Sequence, residues 1–389
     1  MFKKFALFLC CAFCFEPLFA DSLTPEIAAF ADAGVRAIYR LDFEDASKNI
    51  NAILDEHPDY PLALFGNTMI EWSRFEYEYE KSNKEQAKVF EESINQAIDG
   101  IKKWLKNNEE DAQAYLSLGG LYGIKARFDL ANKSYVKAYF SGKKGLKFMN
   151  KAAKIDPQMY DAYLGEAIYQ YYAGTLPAVV KVLAKLVASG DADKGIEYLN
   201  LIKQKGRFSA DTATLLLVEI SVESEKYYNP ELADKYIHEI LSKYPQNPLY
   251  NFVAIITAYE NKRYDEVYSA AQDFLNNIGK KPLYKDIYIA RSYTAMGTAR
   301  MAQGRYEEAA ELFAKSIDAT KEQEMSRWQL YNVLRLAECY DILGKRELSV
   351  PLYKEVINSK ENWGMDDIAK KYLKHPYTAD IALGRMSPP

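Results

Sequence analysis

The chain has 389 residues, of which 49% are apolar and 27% charged, with a mean hydropathy of −0.33. That is the range of an ordinary folded protein, long enough for two domains or one extended repeat array. The net charge of −4, with no run of basic residues, argues against a nucleic-acid partner. Gly (19) and Pro (14) are scarce beside 31 Tyr, which favours helices over turn-rich sheet.

Residues 1–20 read as a signal peptide. Lys3 and Lys4 form a positive start, "FALFLCCAFCF" is a short apolar core, and Ala20 precedes Asp21 at a plausible cleavage point. Export to a periplasm or cell envelope is therefore expected. Cys10, Cys11 and Cys14 are preceded by Leu9, Cys10 and Phe13, which does not match a lipid-attachment site, so the chain does not read as a lipoprotein. Beyond residue 20 only Cys339 remains, so no internal disulfide can form and the core alone must hold the fold.

From residue 24 onward the spacing of small and large residues repeats in helix pairs. The first pair carries Phe30, Gly34, Ala46, Ile50, Ile53 and a closing Pro58. Tyr115, Gly119, Tyr122, Ala152 and Pro157 repeat the pattern, as do Leu217, Ser221, Ala233, Ile237, Ile240 and Pro245. "YDEV" at 264–267 is mirrored by "YEEA" at 306–309, and Ala337, Tyr340, Gly344, Ser349, Tyr353 and Val356 close the series. The clearest copy is "YTAMGTARMAQGRYEEAAELFAKSI", residues 293–317. Small residues in mid-helix, here Gly297 and Ala309, allow two antiparallel helices to approach; Tyr293 and Phe313 fill the space beside them.

This pattern resembles the tetratricopeptide repeat (TPR), a 34-residue helix–turn–helix unit. The resemblance implies an all-α fold, a right-handed α-solenoid of about eight TPR-like pairs. The units run about 24–58, 60–108, 112–157, 158–206, 208–245, 248–277, 284–320 and 325–360, with a capping helix over 364–375 and a loose tail over 376–389. The segments 84–107 and 129–154 are longer than a standard second helix. Each would reach roughly 35–40 Å or bend, the second at Gly142 and Gly145.

Residues 158–206 are the least regular unit. "TLPAVVKVLAKLVASG" stands where an ordinary repeat has a short turn. Pro177 suits a first helical turn, Lys181 and Lys185 share one face, and the rest is an apolar candidate surface of Leu176, Val179, Val182, Leu183 and Leu186. At about thirteen residues it is too short to span a bilayer. A packed insertion is the favoured reading, ahead of a cavity wall or a membrane-surface contact. The arrangement around it is similar to a segment of the yeast inclusion-body-clearance family and its tetratricopeptide-39 relatives.

No chemistry stands out. His57, His238 and His375 share no ligand spacing, and no phosphate loop, nucleophile elbow or dinucleotide fingerprint is present. No enzyme activity, metal or cofactor is expected. In the TPR family, first helices line the concave face, and one known use is a Lys/Asn clamp for a peptide carboxylate. The corresponding positions here, Leu249, Phe252, Ile256, Tyr259, Tyr331 and Arg335, lack that clamp and make an apolar, Tyr-edged groove. The expected function is an exported scaffold that binds another envelope protein or a peptide. The alternative is a carrier of a hydrophobic small ligand working with a periplasmic transport system. Nucleic acid is not an expected partner, and a membrane only through a retained signal peptide or weak surface association.

Overall fold

A computed structural model describes residues 23–78, 84–132, 134–175, 190–381 and 383–388. The expected signal peptide and the apolar insertion (Leu176, Val179, Val182, Leu183 and Leu186) lie outside the described residues. Among the described residues there are seventeen α-helices and no strand. They form eight consecutive pairs: α1 (Pro25–Arg40) with α2 (Phe43–Glu56), α3 (Pro61–Glu78) with α4 (Lys84–Leu105), α5 (Ala112–Ala131) with α6 (Tyr135–Ile155), and α7 (Leu164–Thr175) with α8 (Ala192–Lys205). The series continues as α9 (Ala210–Glu223) with α10 (Pro230–Lys243), α11 (Pro248–Glu260) with α12 (Tyr264–Asn277), α13 (Tyr288–Ala302) with α14 (Tyr306–Thr320), and α15 (Arg327–Ile342) with α16 (Arg346–Asn358). A last helix, α17 (Met365–Lys374), caps the stack.

Local chemistry explains the helix ends. Thr24, Asp42, Asp111, Asn229 and Asn247 each accept a hydrogen bond from a backbone N–H in the first turn that follows them. Pro230 and Pro248 sit at the start of α10 and α11, where a missing N–H costs nothing. Ser326 and Gln329 form a reciprocal capping box on α15. The turns inside the last pairs need one left-handed residue. Gly304 and Gly344 supply it at φ 72°, and Lys262 takes the same place at φ 60°.

Close approach of paired helices follows the small residues. A Cβ on Gly145 would lie 3.0 Å from the Gly119 carbonyl, so α5 and α6 touch backbone to backbone. A Cβ on Gly297 would lie 2.5 Å from the Phe313 ring, which is fully buried. Gly297→Ala should therefore lower the unfolding free energy by about 1–3 kcal/mol, read as a shifted urea midpoint with unchanged slope.

One expectation on length does not survive. The stretch 129–154 is not a single enlarged second helix: α5 runs on to Ala131 and α6 begins only at Tyr135. Asp129 accepts a hydrogen bond from the backbone N–H of neither partner helix but from the Ser141 hydroxyl at 3.2 Å, and its own carbonyl receives the Ser134 N–H at 2.8 Å, which turns the chain there.

The array also closes on itself. Arg207 makes two hydrogen bonds to Asp32, both at 3.1 Å, and the Tyr39 hydroxyl lies 2.6 Å from that of Thr212. Asn247 donates to the Tyr39 carbonyl at 2.8 Å, and the Tyr39 and Tyr244 rings stack at 5.2 Å. The second pair reaches further along, where the Tyr77 hydroxyl donates to the Leu283 carbonyl at 2.5 Å. Residues some two hundred positions apart are thus bonded directly, which a straight stack would not allow.

Candidate functional site: an occupied groove on the last three pairs

The first helices of the last three pairs, α11, α13 and α15, make one continuous surface. A buried polar network joins the last two of them. Asn332 on α15 donates to the Ala290 carbonyl of α13 at 3.1 Å and to Ser316 of α14 at 2.7 Å, while it accepts from Thr294 at 2.8 Å. All its amide groups that matter here are satisfied, so the network locks rather than weakens the core. Above it lie Phe252, Tyr288 and Trp328, with the Arg291 guanidinium 5.9, 4.9 and 5.5 Å from their ring centres.

That surface is already occupied by the chain's own C-terminal segment. The tail expected to be loose over 376–389 instead returns across the groove. Tyr377 is buried and its N–H donates to Asp341 at 2.8 Å. The Tyr259 hydroxyl donates to the Gly384 carbonyl at 3.1 Å and the Tyr331 hydroxyl to the Arg385 carbonyl at 3.1 Å. Arg335 donates to the Leu383 carbonyl at 2.8 Å and to that of Arg385 at 3.3 Å. Met386 is fully buried in the cluster that contains Phe252, Tyr288 and Trp328. Arg385 turns the other way and pairs with Glu223 at the end of α9. The physical reason is that three tail carbonyls and one long apolar side chain gain partners here that solvent would not match.

The six residues expected to line the groove therefore divide. Tyr259, Tyr331 and Arg335 converge on the tail backbone. Phe252 is only 2% exposed and is a core residue, edge-on to Phe274 and Trp328. Ile256 is half-buried against the same cluster, and Leu249 is exposed and stands apart from the tail contacts. Met386, Leu383 and Arg385 were not singled out in the sequence, because a short stretch ending "GRMSPP" carries no periodicity.

The electrostatics are those of a buried, compensated charge. Arg335 is 4% exposed and pairs with the equally buried Glu338 at 2.8 Å. Burial pushes the Glu338 carboxyl above the usual range, and the Arg335 charge pulls it back. Burial likewise raises the Tyr259 and Tyr331 phenols, so both stay protonated and donate at any physiological pH. The Cys339 thiol is fully buried and raised by that burial and by nearby Glu338. The chain from Asp21 should show no thiol labelling when native at neutral pH, and one equivalent after unfolding in urea. Among the described residues no group of three or more His, Cys, Asp or Glu is placed to share a metal ion, and no helix is long and apolar enough to cross a membrane.

No family model and no curated protein matches the chain. Solved structures similar to it include the Cut9–Hcn1 hetero-tetramer of the APC/C, 16% identical over 90% of this chain and 55% of that one, TM-score 0.49. The chain thus spans about half the length of that protein. NprR in complex with its cognate peptide NprX is 11% identical over 90% of this chain and 84% of that one, TM-score 0.42. Yeast Tom70 is 10% identical over 90% and 89%, TM-score 0.40. The helix pairs themselves, closed by small residues in mid-helix and stacked in chain order, make this an all-α solenoid of tetratricopeptide type.

Proposed function

We propose that the protein is a scaffold that binds an extended peptide segment of a partner on the surface of α11, α13 and α15. The observation that carries this reading is the seating of residues 383–386. Recognition runs through backbone carbonyls, met by Tyr259, Tyr331 and Arg335, and through one apolar anchor, Met386. Carbonyl contacts are indifferent to sequence, whereas the anchor and the Glu223 contact select an Arg-apolar pair. The tail is thus a resident occupant of the site, and a partner segment of similar chemistry would exchange with it.

The test uses the chain from Asp21 ended at residue 382, titrated with a synthetic peptide of residues 376–389. Saturable binding is expected, weakened by Tyr331→Phe and Tyr259→Phe, which remove one hydroxyl each without opening a cavity. No binding to the truncated, folded chain would overturn the reading. Export is part of the proposal and rests on residues 1–20; a mature N-terminus at Asp21, found by mass spectrometry of the native protein, is its check. A second reading, a carrier of a hydrophobic ligand, is favoured by the closure of α1 and α3 onto the later pairs. A small mass released from the native protein on unfolding would support it.

A further inference from the structure

At one end of the α5–α6 hairpin, large apolar side chains stand in solvent. Leu130 is 52% exposed, and in the first turns of α6 Tyr135, Val136, Tyr139 and Phe140 are 67, 72, 42 and 57% exposed. Five of the twelve large apolar side chains exposed among the described residues fall within these eleven positions; the others are scattered. Single exposed apolar residues need no explanation, but a contiguous cluster does.

The rest of the same helix face is basic. α6 holds Lys137, Lys143, Lys144, Lys147, Lys151 and Lys154 and no Asp or Glu, although the whole chain is net negative. Val136, Phe140, Lys143, Lys147 and Lys154 follow one another at offsets of four, three, four and seven, which places them within about 60° of one another around the helix. All five are exposed. The opposite side, Ala138, Ser141, Gly145, Met149 and Ala152, is buried. Nearby acids are engaged elsewhere: Asp129 with Ser141, Glu110 with Lys151, Glu166 with Asn150 and Gln170, and Glu76 with Arg127. Among the described residues no ion pair holds Lys137, Lys143, Lys147 or Lys154, so the stripe keeps its charge.

We infer that this outward face of α6 docks on an anionic lipid surface. Leu130, Tyr135, Val136, Tyr139 and Phe140 enter the boundary between headgroups and acyl chains, and Lys143 and Lys147 meet the lipid phosphates. An amphipathic surface of aromatic and aliphatic groups beside a Lys stripe, on a helix fixed at its back, has the form of an interfacial anchor. Lipid fits better than nucleic acid for two reasons. The branched side chains of Leu130 and Val136 gain nothing from base stacking but gain from hydrocarbon. Every cation in α6 is a Lys, with none of the planar forks that read phosphate and base edges in pairs.

The test is co-sedimentation of the chain from Asp21, which keeps every described residue, with vesicles of phosphatidylcholine alone or mixed equally with phosphatidylglycerol. Pelleting is expected with the mixed vesicles only, and should fall about tenfold between about 50 mM and about 500 mM salt. Lys143→Gln with Lys147→Gln should cut partition about twenty-five-fold, each Lys being worth about fivefold. Val136→Ser with Phe140→Ser should cut it at least as much, while Leu348→Ser, at another exposed position, leaves it unchanged. All these sites are exposed, so unchanged melting curves are expected and confirm that the variants fold. Absence of pelleting at low salt, equal pelleting with phosphatidylcholine alone, or insensitivity to both double variants would overturn the inference. So would tighter binding to a single-stranded oligonucleotide than to the mixed vesicles, lost with the same Lys changes.

Discussion

Asp341→Ala is expected to lower the stability of the chain by about 3–5 kcal/mol, the cost of removing one partner from a buried charged network. The Asp341 side chain is fully buried at the end of α15. It accepts two hydrogen bonds from Arg346, at 2.8 and 2.9 Å, one from the Tyr353 hydroxyl at 2.9 Å and one from the Tyr377 N–H at 2.8 Å, and the Ser349 hydroxyl donates to it as well. Arg346 in turn donates to the Leu373 carbonyl at 2.6 Å. One carboxylate thus ties α15 to α16, to the end of α17 and to the start of the tail. Its loss leaves the Tyr353 phenol and the Tyr377 N–H without their acceptor in a core where water does not replace it, while the half-buried Arg346 guanidinium keeps only the Leu373 carbonyl and solvent. Asp341→Asn should cost less, about 2–3 kcal/mol, because the shape stays while one side of the amide turns a donor toward donors. Urea titration checks both: the midpoint should fall with the slope unchanged, and equal costs for Ala and Asn would show that the charge and acceptor geometry do not matter.

Ending the chain at residue 382 is expected to raise its affinity for the 376–389 peptide by about a hundredfold over the intact chain. A tethered occupant acts at an effective concentration of about millimolar, so a peptide that binds the empty groove at about 10 μM must compete against it. The same truncation should destabilise the fold by about 2–4 kcal/mol. It removes the fully buried Met386, whose burial is worth about 2–3 kcal/mol, and leaves Arg335 with Glu338 and Tyr331 alone. Addition of the peptide should restore that loss, since a ligand that binds only the folded state adds to its stability. Met386→Asp in the intact chain separates the two effects: it keeps the tether but puts a charge into the apolar cluster, and should open the groove nearly as well as truncation. Equal peptide affinity of intact and truncated chains would mean that the tail does not compete for the site.

Much of the fold could be read from residue types alone. Gly34, Gly119, Gly297, Ala46, Ala233, Ala309 and Ala337 recur at the spacing that lets antiparallel helices touch, and the structure buries every one of these Ala residues completely. Such signals are legible because they are local: the partner of each small residue lies one helix away, within the same repeat. The length of α6 was not legible to the residue, because its start at Tyr135 depends on Asp129 bonding to Ser141 and Ser134, a choice made by the facing helix.

The candidate sites divide in the same way. Tyr259, Tyr331 and Arg335 could be named as groove residues from their register on first helices, since register is set by the repeat. What they touch could not, because the tail that lies across them is joined to them by contacts spanning 48 to 125 positions and has no periodicity of its own. The charge balance of the whole chain likewise concealed the Lys stripe of α6, which exists only once one face of that helix is packed on α5 and the other is left to solvent. The sequence alone determined the repeat and its packing residues, since these rest on interactions between near neighbours. Only the tertiary structure decided the closure of Tyr39 and Tyr77 onto the later pairs, the seating of Met386 and the direction of the α6 face, because each depends on surfaces that exist only after the pairs have stacked.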